Sequence, residues 1–107
     1  MQDIRKPKRG RPLGAKTFDP APALAFGFAV RERRLQIGTS QEELASLAQV
    51  ERSHMGKIER GEHMPNLAMI LRLAKALSVK PGLLVDQVAA TLLDGDPNIQ
   101  VRKRPIA

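Results

Sequence analysis

Cysteine, tryptophan and tyrosine are all missing from this sequence, and phenylalanine occurs three times in 107 residues. Without cysteine there are no disulfides, no thiolate metal sites and no thiol nucleophile. With so few aromatics, any core must be aliphatic. No run of apolar residues is long enough to cross a bilayer, and the basic N-terminus lacks the apolar stretch of a secretory signal. Valine and isoleucine are sparse, whereas alanine, leucine, arginine, glutamate and glutamine are plentiful, a balance that favours helices over strands. These absences lead us to expect one cytoplasmic domain.

The formal charge of +7 is unevenly spread. Residues 1–16 hold six basic groups against Asp3, and residues 98–107 add Arg102, Lys103 and Arg104, while residues 17–97 carry nine basic and ten acidic residues. A near-neutral globule with basic ends suits a polyanionic partner; solubility alone is the plainer reading. The boundaries that follow are a basic N-terminal arm over 1–18, a folded domain over 19–94 and a basic tail over 95–107. Glycine, proline and like charges predict that the arm does not pack without a partner.

Helix punctuation divides the middle of the chain into five helices, an all-α fold. Asp19 and Pro20 cap and start the first, in which Phe26, Val30, Arg34 and Ile37 recur at helical spacing and Gly38 is the stop. Ser40 and Glu43 have capping-box spacing before "QEELASLAQ". A three-residue break at Gln49–Glu51 precedes "RSHMGKIERG", with Met55 and Ile58 facing inward. Asn66 caps a fourth helix, expected to be buried through Leu67, Ile70, Leu71, Ala74 and Leu77. Pro81 opens a fifth, which Gly95 and Pro97 end. The second and third helices are too short to persist alone. Two short helices with a tight link are the layout of a helix-turn-helix, in which the small Ala45 permits a close crossing.

The residues "RLQIGTSQEELA", "ERSHMGKIERG" and "MPNLAMILRLAKALSV", spanning Val30 to Leu84, resemble the XRE-type (Cro/phage-repressor) helix-turn-helix DNA-binding family. The resemblance implies a compact repressor-like domain that binds double-stranded DNA, needs no cofactor or metal, and is not an enzyme. It places the third helix in the major groove, with Arg52, Ser53 and Lys57 at base edges. Gln41 would hold a phosphate and brace that helix, and Ser40, His54, Arg60 and His63 fall where phosphates are contacted. Arg34 and Glu59 match a buried ion pair. Gly56 would allow close approach to the duplex, and Glu51 either accepts from cytosine N4 or favours the positive helix end. Gln49 stands where the family has glycine, so the turn must reach a left-handed conformation at some cost or adopt a variant geometry; Thr39 replaces an apolar residue. No catalytic arrangement is visible, and two histidines nine residues apart do not form a metal site.

The surplus of apolar residues on the fifth helix (Leu83, Leu84, Val85, Val88, Ala89, Ala90, Leu92, Leu93) predicts a homodimer through residues 81–94, the alternative being a helix enclosed by the chain's own termini. In the arm, Arg9-Gly10-Arg11-Pro12 resembles the centre of an AT-hook, whose arginines follow the A·T minor groove; a plain phosphate-binding arm is the alternative. The functional expectation is a bacterial or phage-like, nucleoid-associated transcriptional regulator acting on a palindromic operator. An antitoxin-like protein that binds DNA and neutralises a protein partner through a terminal segment is the rival.

Overall fold

Four of the five helices begin or end on a residue that satisfies backbone groups the helix itself cannot. The computed structural model describes residues 19–94. The expected N-terminal arm with Arg9, Gly10 and Arg11, the basic C-terminal tail and the stop at Gly95 and Pro97 lie outside them. Helix α1 (Pro20–Ile37) starts with the Asp19 carboxylate accepting from the Ala21 N–H and closes on Gly38 at φ 73°. In α2 (Gln41–Ala48) the Ser40 hydroxyl oxygen accepts from the Glu43 N–H at 3.0 Å. Helix α3 (Arg52–Glu59) has Glu51 at its N-cap with no side-chain bond to the helix. Asn66 caps α4 (Leu67–Ala76) by accepting from Met69, and Pro81 is the first residue of α5 (Pro81–Asp94). No strand is present among the described residues.

Helix α1 is the spine, packing against α3 and α5, while α2 lies against α3 and α4. The core is aliphatic apart from Phe26: Val30, Leu44, Met55, Ile58, Leu73, Leu77 and Leu84 are all fully buried around it. Ala45, 2 % exposed, sits at the α2–α3 crossing as its size suggests. A second close crossing occurs at Gly27. A Cβ there would run into the Ile58 carbonyl and come within 2.6 Å of the Glu59 carbonyl oxygen, so α1 meets the end of α3 backbone to backbone. Gly27 therefore fixes how deeply α3 seats.

The turn between α2 and α3 has the expected left-handed residue, Gln49 at φ 59°. Its cap still forms, since Val50 N–H donates to Ala45 O at 2.8 Å.

Two expectations about burial need correction. Leu67 and Leu71 of α4 are exposed (67 % and 48 %), whereas Leu73 carries the core contact with Ala74 and Leu77. The buried stripe of α4 runs through Ile70, Leu73, Ala74 and Leu77, at spacings of three, one and three. Leu67 and Leu71 lie together along the edge of this stripe, one turn apart, where no neighbouring helix covers them. On α1, Ile37 is likewise outside the core.

Candidate nucleic-acid interface

Glu59, the last residue of α3, organises the site. Its carboxylate accepts from Arg34 Nε at 2.7 Å, from Arg34 Nη2 at 3.0 Å and from Gln41 Nε2 at 3.1 Å. The side chains of Glu59 and Arg34 are only 3 % and 11 % exposed. Arg34 Nη1 donates to Thr39 O at 3.0 Å, so the guanidinium also ties down the α1–α2 link. The hydrogen bonds to Glu59 raise the Arg34 pKa, working against the burial of the group. One carboxylate thus joins α1, α2 and α3. The ion pair is legible in the sequence; its extension to Gln41 is not.

That extension bears on what Gln41 can do. An ionised carboxylate only accepts, so the Gln41 amide must turn its nitrogen toward Glu59, which leaves a second Nε2–H free. The backbone N–H of Gln41, in the first turn of α2, is free as well. The Ser40 oxygen accepts from Glu43, and its hydroxyl hydrogen remains available.

Gln41 lines an open cleft of about 410 Å³ with Arg52, Ser53, Gly56, Lys57 and Arg60. Its walls hold three cations and no carboxylate. Arg52, Ser53 and Lys57 project from α3 into solvent. Gly56, by contrast, is buried. A Cβ there would meet Arg60 Nη1 at 2.9 Å and Gln41 Oε1 at 3.6 Å, so the missing side chain makes room for Arg60 and Gln41 at the floor of the cleft. Arg60 is paired in a fork with Glu62, at 2.8 and 3.2 Å, on the exposed side of the loop. The pair raises the Arg60 pKa through its hydrogen bond.

His54 and His63 are half-buried and meet edge to face, with ring centroids 4.3 Å apart. The spacing of nine residues gave no sign of this contact. Burial of the His63 ring holds its pKa below the usual imidazole value, and the nearby His54 and Lys57 push it the same way. Among the described residues no three or more of His, Cys, Asp and Glu are grouped to hold a metal ion. No helix there is long and apolar enough to cross a membrane.

A family model described as Helix-turn-helix matches residues 30–84, half of the chain. The chain is a helix-turn-helix protein. It is 44% identical to the restriction-modification controller protein C.AhdI from Aeromonas hydrophila, with a TM-score of 0.58 over 60% of this chain and 97% of that one. Control protein C.BamHI from Bacillus amyloliquefaciens is 41% identical over 64 residues, 59% of this chain and 79% of that protein. The clp gene regulator ClgR from Corynebacterium glutamicum shares the fold, at a TM-score of 0.65 and 23% identity over 69% of this chain and 96% of that one. The biochemical class of this helix-turn-helix protein is thus DNA-binding transcriptional regulator of the XRE type, and the family is not one of enzymes.

Proposed function

We propose that the protein recognises a specific palindromic operator by seating α3 in the major groove. The observation that carries this reading is the carboxylate-free cleft in which Arg52, Ser53 and Lys57 stand exposed on a helix pinned from behind by Glu59. Arg52 and Lys57 suit guanine O6 and N7, and Ser53 suits either kind of base edge. The free N–H groups at the start of α2 and the Gln41 amide would take a backbone phosphate. Ser40 precedes that position in the chain, and Ser40, Arg60, His54 and His63 would take further phosphates; Arg60 would exchange or share its bond with Glu62 to reach one.

A homodimer is part of the proposal. Leu84 is the one fully buried side chain of α5, whereas Leu83, Val85 and Leu93 are about half exposed. Covering them with a second copy would place two recognition helices about 34–36 Å apart, one turn of DNA. The Arg9-Gly10-Arg11 arm adds phosphate contact or minor-groove reading at the flanks, and the cell compartment would be the cytoplasm, at the nucleoid. The likeness to C.AhdI and C.BamHI supports a control role of that general kind.

Selection of bound duplexes from a random pool, followed by binding isotherms, tests the reading. Arg52→Ala or Lys57→Ala should cost about 1–3 kcal/mol on the selected sequence and much less on random DNA. Equal losses on both would remove these residues as base readers.

A further inference from the structure

A second cleft, of about 530 Å³, lies at the other end of α2 from Gln41. It is lined by Leu47, Gln49, Arg72, Lys75, Ala76 and Ser78. The α2 rise alone separates it by about 12 Å from the Gln41 end, and it shares no residue with the α3 cleft. Its polar groups can all donate, and none is a carboxylate. Arg72 is aimed by its Nε bond to Ala48 O at 3.1 Å and a contact of Nη2 to the Met69 sulfur, while Nη1 has no partner among the described residues. Neither Arg72 nor Lys75 is paired with an acidic group there. A third cation, the Arg33 guanidinium, reaches the same turn through Leu77 O and Ser78 O.

Two of the lining residues end helices α2 and α4. Gln49 and Ser78 are the only non-glycine residues at positive φ among those described, both at 59°, and both line this cleft. Their turn bonds are made by backbone groups, which glycine would supply without the Cβ penalty. What the two side chains add is an amide and a hydroxyl, neither of which has a partner within the described residues. Both positions are left-handed helix endings, and each turn aims its free polar side chain into the cleft.

We propose that this cleft binds a small organic anion, a carboxylate or phosphate on a compact apolar body. Arg72 and Lys75 would hold the charge, Gln49 and Ser78 would donate to its oxygens, and Leu47 and Ala76 would cover the body. The site is separate from the DNA-reading surface and stands whether or not that reading does.

The test is titration of the whole chain with phenyl phosphate and with benzoate, followed through backbone amide resonances, against sodium chloride at matched ionic strength. Saturable shifts centred on residues 47–49 and 72–78 are expected, with a dissociation constant below about 10 mM. Lys75→Gln, an exposed change that leaves the packing intact, should weaken binding at least tenfold. Gln49→Gly and Ser78→Gly should each raise Tm by a few degrees while weakening binding; a purely structural role would change Tm alone. No saturation, the same response to chloride, or shifts that survive Lys75→Gln would overturn the proposal. So would a response at these residues to duplex DNA and not to the small anions, which would make the cleft a DNA contact.

Discussion

Replacing Glu59 by Gln keeps the shape of the side chain and removes its charge. The amide can accept from Arg34 through one oxygen only, and its own NH2 then faces N–H groups of Arg34 or Gln41. Three charge-assisted bonds, at 2.7, 3.0 and 3.1 Å, reduce to one or two, and an 11 % exposed guanidinium is left without a counter-ion. Breaking a buried pair in this way costs about 3–5 kcal/mol. A domain the size of residues 19–94 has a total stability of about 4–11 kcal/mol, so the variant should lie near the edge of folding. Its Tm should fall by at least about 12 °C. Because the chain has no Trp or Tyr, the assay is urea unfolding followed by far-UV circular dichroism of the five helices. Arg34→Met should behave like Glu59→Gln for the opposite reason, leaving the carboxylate unpaired. The double replacement Arg34→Met with Glu59→Gln should cost less than the two singles added together, since no charge then remains buried. Single losses below about 1 kcal/mol that add without coupling would show that the pair is solvated and that α3 is held by packing alone.

Three further outcomes are expected. His63 has its pKa lowered, first by burial and then by His54 and Lys57, so the unfolded chain binds a proton that the folded chain refuses. Its contribution to stability is complete above about pH 6.5 and fades as pH falls through that value; urea titrations across this window should be flatter for His63→Gln, and an unchanged slope would refute the assignment. Removing residues 1–16, with their six basic groups, should reduce the salt dependence of DNA binding by about 0.9 for each phosphate contact given up. An unaltered slope would show that the arm does not touch DNA. Val85→Glu with Leu93→Glu should convert a dimer to a monomer in sedimentation equilibrium without loss of helix content; a wild-type chain that is monomeric at every concentration would remove the dimer.

What the sequence makes legible is largely local. Asp19, Ser40 and Asn66 accept from a backbone N–H two or three residues on, so their caps can be recognised without knowing the fold. The left-handed turn at Gln49 and the Arg34–Glu59 pair are both legible through the family pattern, which has glycine at the first and an ion pair at the second. Burial in α4 was misassigned because periodicity reports which residues share a face and not where the neighbouring helix ends. Leu67 and Leu71 fall on the rim of the right face. Gly27 carried a signal that went unread: a glycine inside an alanine-rich helix costs about 1 kcal/mol against alanine, which points to a backbone approach. Which backbone approaches is a tertiary fact, as are the His54–His63 contact and the bond from Gln41 to Glu59.

On the proposed reading, the folded part and the basic flanking segments divide the work of binding. Residues 19–94 hold nine basic and nine acidic groups, so the globule has no net attraction for a polyanion. Long-range attraction and the larger share of counter-ion release would then come from the flanking segments, whose phosphate contacts carry no sequence information. The globule instead concentrates its DNA-facing charge in one carboxylate-free cleft on a helix held by Gly27, Ala45 and Glu59. A rigid reader of low overall charge discriminates well because little of its affinity is available to the wrong sequence. On this argument, raising salt should weaken operator and random DNA together as the ends lose their grip, while the ratio between the two, set by Arg52, Ser53 and Lys57, changes far less.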